Sequence, residues 1–212
     1  MSLSEDVDFL NNPDLREEEK KALRYYTERG FQYISEYFYK GITGLINKLR
    51  ETKHSVEDIE KGIEKVKSTI KIIDQAFLHC CLTRDYITYR GIKNPELEKL
   101  RELNIGDVYK KPGFLSLTYC IDVALREDFA EIDEKGELNI MAIKIYKGSP
   151  AIFIGNNPEL KECEILLPRK RELKLLQISS TMIKDLNVQI KHRTDISDST
   201  RINLFITQDV SS

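Results

Sequence analysis

The spacing of apolar residues divides the chain into two regimes. In the first third it is helical. Leu15, Ala22, Leu23 and Tyr26 recur on one helix face. Asp14 opens that pattern, Glu17 and Glu18 suit its first turn, and Gly30 fits a C-terminal stop. Phe31, Ile34, Phe38, Ile42, Leu45 and Leu49 mark a second stretch, with Gly41 and Gly44 predicting a break inside it. Ser55 and Asp58 form a capping-box pattern ahead of a third stripe, from Val56 through Ile63, Val66 and Ile70 to Phe77. The prediction is three helical segments packed as a layer on one side of the domain.

After Leu82 the period shortens to that of strands. Predicted strands cover Tyr86–Arg90, Phe114–Thr118, Leu138–Tyr146, Ala151–Ile154, Cys163–Leu167, Leu173–Ile178, Val188–Ile190 and Ile202–Ile206. Pro95–Leu103 and Ile121–Ala130 are helix candidates. Close spacing with turn residues between strands predicts mainly antiparallel pairing. The expected fold is therefore α+β in one domain over residues 1–212, helical over about 14–82 and β-rich over about 83–208. No glycine-rich phosphate loop is present, which argues against a doubly wound nucleotide fold.

Composition narrows the class. The 212 residues are 41% hydrophobic and 32% charged, enough apolar content for one good core. A net charge of −2 argues against a general nucleic-acid binder, and no apolar run reaches membrane-spanning length. No secretion signal is visible, and the Met1-Ser2-Leu3 opening leaves room for an upstream segment. Cys80, Cys81, Cys120 and Cys163 fit neither a zinc site nor a disulfide framework and read as small buried hydrophobes. His54, His79 and His192 are scattered, with no metal-ligand spacing.

The chemistry concentrates in Lys161–Arg169. Glu162 and Glu164 lie one residue apart, so on a strand they point the same way, roughly 7 Å apart, while Cys163 points the other way. Ile165-Leu166-Leu167 follows and stops at Pro168, which cannot donate to a ladder. Alone, the pair reads as two solvated carboxylates on an edge strand. Two earlier segments change that. One is Tyr89-Arg90-Gly91 at a strand end; the other is Gly113-Phe114-Leu115-Ser116-Leu117-Thr118. In this order the three motifs resemble the arginine–serine–glutamate class of mono-ADP-ribosyltransferases, the bacterial exotoxin-type enzymes. Ala22–Thr27 also looks like the opening helix of their catalytic domain, and the likeness runs from about Leu15 to Ile206. One departure stands out: the family's Ser-Thr-Ser is here Ser116-Leu117-Thr118.

The resemblance implies a helical layer followed by a two-sheet, mainly antiparallel β core that encloses a cleft for NAD. NAD is the substrate, and no metal is expected. The implied reaction breaks the nicotinamide–ribose bond through an oxocarbenium-like transition state, which a nearby carboxylate stabilises. By family match, Glu164 is the catalytic glutamate, Arg90 binds phosphate, and Ser116 orients Glu164 with help from Thr118. Gly91 would let ligand approach the backbone, and Arg126 is a candidate second phosphate ligand. Glu162 matches the position that accompanies transfer to arginine, because a carboxylate can orient a protonated guanidinium and take its proton. The implied partner is a protein carrying an acceptor arginine; actin is a common family substrate, and nothing here selects it. Delivery would need a separate component or an export route, with action in the target-cell cytosol. Two competing readings are an NAD glycohydrolase and a non-catalytic relative that binds NAD or a protein. Among Tyr25, Tyr26, Tyr33 and Tyr37, packing is the default and a ligand role for one is the alternative. Gly155–Leu160 reads as an exposed loop, and the resemblance implies that this loop helps choose the target. For Phe153 strand core is the default and an aromatic contact at that loop is the alternative.

Overall fold

The structure, a computed structural model, describes residues 14–53, 55–155, 163–186, 193 and 195–211. Its helical layer consists of α1 (Glu17–Tyr25), a π-helical turn (Tyr26–Gly30), α2 (Phe31–Arg50) and α3 (Val56–Ala76). α1 begins one turn later than Asp14, where the Glu19 carboxylate accepts from the Arg16 N–H at 2.8 Å. Gly30 does not stop a helix. It stays right-handed and feeds α2, and a Cβ there would meet the Tyr25 carbonyl at 2.8 Å. Gly41 supplies the expected break, with φ 67° and ψ −160° inside α2. Ser55 caps α3 by accepting from the Asp58 N–H at 3.1 Å.

The β region contains β1 (Tyr86–Gly91), α4 (Asn94–Arg101), β2 (Val108–Lys111), β3 (Leu115–Thr118), α5 (Ile121–Ala124), β4 (Leu138–Ile145), β5 (Ile152–Gly155), β6 (Glu164–Leu167), β7 (Arg171–Met182) and β8 (Arg201–Asp209). The strands join in the order β2-β7-β8-β4-β1-β3-β6-β5. All pairs are antiparallel except β4 with β8. β2 escaped the sequence pattern, because Val108-Tyr109-Lys110-Lys111 alternates over too few residues and carries two charges. Ile121–Ala130 is helical only to Ala124, and Val188–Ile190 lies outside the described residues.

The two expected sheets take the form of one ladder pinched in the middle. β1 pairs with β4 from Tyr86 to Gly91, yet meets β3 at the single pair Tyr89↔Thr118. Five strands lie on one side of the pinch and three on the other. Leu115, Leu117, Ile165 and Leu167 from the smaller part share a core with Met141, Ile143, Ile145 and Leu173 from the larger part. The opposite face of the smaller part, through Phe114, Ile152, Ile154 and Leu166, carries the helical layer. Each strand of the smaller part is thus covered on both faces, which accounts for the unbroken apolar run at Ile165–Leu167. Full burial of each such side chain contributes roughly 1.5–3 kcal/mol.

Candidate active site

The pinch opens onto a cleft of about 860 Å³, within the range of roughly 300–1,000 Å³ typical of small-molecule sites. The cleft lies between the helical layer, which contributes Tyr26, Ile34, Phe38 and Tyr39, and the strand ends that carry Arg90, Ser116, Thr118 and Glu164. Ser116 and Thr118 face it by strand alternation, so Leu117 faces the other way and is 2% exposed in the core. Leucine at the middle of the motif therefore serves packing and takes nothing from the two hydroxyls beside it.

Arg90, Ser116 and Glu164 are joined directly. The Ser116 hydroxyl donates to Glu164 Oε1, and Arg90 Nη1 donates to the Ser116 carbonyl at 3.1 Å. With one backbone pair between β1 and β3, the guanidinium closes the gap that a longer ladder would have filled. Glu164 opens β6 opposite Thr118, and Thr118 Oγ1 accepts from the Cys120 N–H at 3.1 Å. Cys163, just before Glu164, has φ 42°, a left-handed turn at the start of β6.

A second set of charges extends from Arg90. Arg90 Nη2 lies 3.4 Å from Glu96 Oε2, while Lys111 Nζ and the Tyr109 hydroxyl donate to Glu96 Oε1 at 2.8 and 2.9 Å. Burial disfavours the Glu96 charge, but Arg90 and Lys111 outweigh it and hold the carboxyl down at about 2. Burial, reinforced by Arg90, lowers Lys111 to about 8 against the pull of Glu96. Burial opposes the charge of Arg90 as well, and Glu96 and the surrounding tyrosines more than offset it. Burial and Glu164 push Tyr26 above the ordinary phenol range. Tyr39 is raised to about 12, by burial first and then Glu96.

Gly91 lines the cleft, but a Cβ there would meet the carbonyl oxygens of Ala124 and Phe129 at 2.5 Å. Its bareness admits the carbonyls of Ala124 and Phe129. Arg126 does not line the cleft: it sits in the turn beyond α5, where its charge acts on the Cys120 thiol. Glu162 lies outside the described residues, as do Asn156–Leu160, His54 and His192. Of the four tyrosines weighed, Tyr26 lines the cleft and Tyr25, Tyr33 and Tyr37 do not. Phe153 packs against Tyr86 at 5.6 Å as strand core. His79 pairs with buried Glu19 at 3.2 Å. Cys80 is buried, whereas Cys81 is exposed, so the thiols are not uniformly core. Among the described residues, no group of His, Cys, Asp and Glu could hold a metal ion.

A sequence model of the ADP-ribosyltransferase exoenzyme family matches residues 8–210. The chain belongs to that family. No curated protein matches it at the level of sequence. The fold of this ADP-ribosyltransferase exoenzyme is similar to that of solved toxins. The ATR domain of SpvB from Salmonella is 19% identical, with a TM-score of 0.60, covering 92% of this chain and 100% of that one. C3larvin from Paenibacillus larvae is 17% identical, with a TM-score of 0.57 and coverage of 92% and 95%. The enzymatic component C2-I of the C2 toxin from Clostridium botulinum is 17% identical, with a TM-score of 0.60, covering 96% of this chain and 45% of that one. No helix of this exoenzyme is long and apolar enough to cross a membrane among the described residues.

Proposed function

We propose that this exoenzyme cleaves NAD at the nicotinamide–ribose bond and transfers ADP-ribose to an arginine of a target protein. The observation that carries the reading is the direct chain from Arg90 through Ser116 to Glu164 at the floor of one cleft. Bond cleavage builds positive charge on the ribose, and the Glu164 carboxylate is the anion placed to stabilise it. Ser116 fixes that carboxylate by donating to one of its oxygens, and a carboxylate can accept more than one donor, a ribose hydroxyl included. Arg90 offers a buried donor, its Nε, which has no partner among the described residues, to an anionic substrate group. Phe129, Tyr39 and Tyr26 give apolar walls for flat rings. Glu162 is the acceptor-orienting carboxylate of the proposal, and a target-cell protein is its partner.

The test is incubation with NAD labelled in the ADP-ribose part and a cell lysate, followed by identification of the modified residue. Label on arginine supports the proposal, and Glu164→Ala is expected to lower transfer at least about a hundredfold. Glu162→Gln should abolish arginine transfer while NAD hydrolysis persists. Full arginine transfer by that variant would overturn the acceptor role, and release of all label as free ADP-ribose would make the enzyme a glycohydrolase.

A further inference from the structure

The geometry assigns Lys111 as a second cation, beside Arg90, for the diphosphate of NAD, with Glu96 holding both in place. This rests on the reading of the cleft as an NAD site. Three observations carry it. Lys111 comes from β2, at the far edge of the ladder, yet lines the same cleft as Arg90 from β1. Its side chain is 7% exposed, and among the described residues Nζ has one hydrogen bond, to Glu96, which leaves two donors. Glu96, 12% exposed, is shared by both cations, so the cluster holds two positive charges against one negative. Burying a surplus charge is costly unless an anion answers it. Arg90 Nε, buried and without a partner among the described residues, marks where part of that answer would bind. A diphosphate carries two negative charges and accepts from several donors at once.

The groups facing Lys111 are Arg90 from β1, Glu96 and Lys99 from α4, Tyr39 from α2, and Tyr109 from its own strand. Its register partner on β7, Arg171, is engaged with Asp209 at 2.5 Å. No described histidine or cysteine lines the cleft. Lys111 is charged below about 8 and neutral above it, so NAD binding should weaken as pH rises through that value. A bound diphosphate would favour the charged form, so binding should take up protons near pH 8.5.

The experiment is calorimetry of NAD and ADP-ribose binding to the full chain between pH 7 and 9.5, in buffers of different ionisation enthalpy. Unaltered protein is expected to lose about tenfold in affinity across that range and to take up protons near pH 8.5. Lys111→Gln should bind both ligands about tenfold to a hundredfold more weakly at pH 7, with no proton uptake. Lys111→Arg should keep the affinity and lose the pH dependence. NAD binding by the unaltered chain with no proton uptake, or by Lys111→Gln with undiminished affinity, overturns the assignment and leaves the transferase reading standing. No NAD binding by the unaltered chain overturns both.

Discussion

A serine hydroxyl on Glu164 and a guanidinium on the carbonyl of that same serine make Ser116 a two-sided clamp. Its side chain acts on one partner and its backbone on the other. The neighbouring Leu117 is fixed by different forces. Leu117→Thr would restore the hydroxyl usual in the family, but would place it in an apolar core that offers it no partner. The expected result is a loss of about 1–3 kcal/mol in urea unfolding with no gain in transfer rate. Arg90, Ser116 and Glu164 were legible in the sequence because each sits in a short, ordered motif. Glu96 and Lys111 were not. Each looks like an ordinary surface charge, one in a short helix candidate and the other beside Pro112. Their importance comes from meeting across two elements, which no local pattern records.

At the scale of elements, α4 is a bracket whose single carboxylate ties β1 to β2. The folded pKa of Glu96 is about 2, below the unfolded carboxylate value of about 4.3. Its contribution to stability is thus present above about pH 4.3 and lost as pH falls towards 2. At about 1.36 kcal/mol per unit this amounts to roughly 3 kcal/mol. Glu96→Gln should flatten the acid limb of stability between pH 5 and 2, measured by urea unfolding at each pH. Lys111 gives a slope of the same sign in a different window: its depressed pKa makes the NAD-free protein more stable as pH rises from about 8 towards the unfolded value of about 10.4. Helix positions were readable from period, as at Gly41. Gly30 misled because a π-helical turn continues through it, and the need for a bare Cα there comes from the Tyr25 carbonyl.

For the whole molecule, the order of helices and strands was visible in the change of period, and the pinched ladder was not. Strand order depends on long-range pairing, and the parallel contact of β4 with β8 is of that kind. Arg201–Asp209 occupies an inner position, flanked by β7 and β4. A ribosome making this chain delivers that strand last, after both Leu138–Ile145 and Arg171–Met182. Until it arrives, two sticky edges wait side by side with no filler between them. The ladder therefore cannot close between β7 and β4 until the last strand is in place, and an export machine that grips the chain before then would meet a sheet still in two pieces.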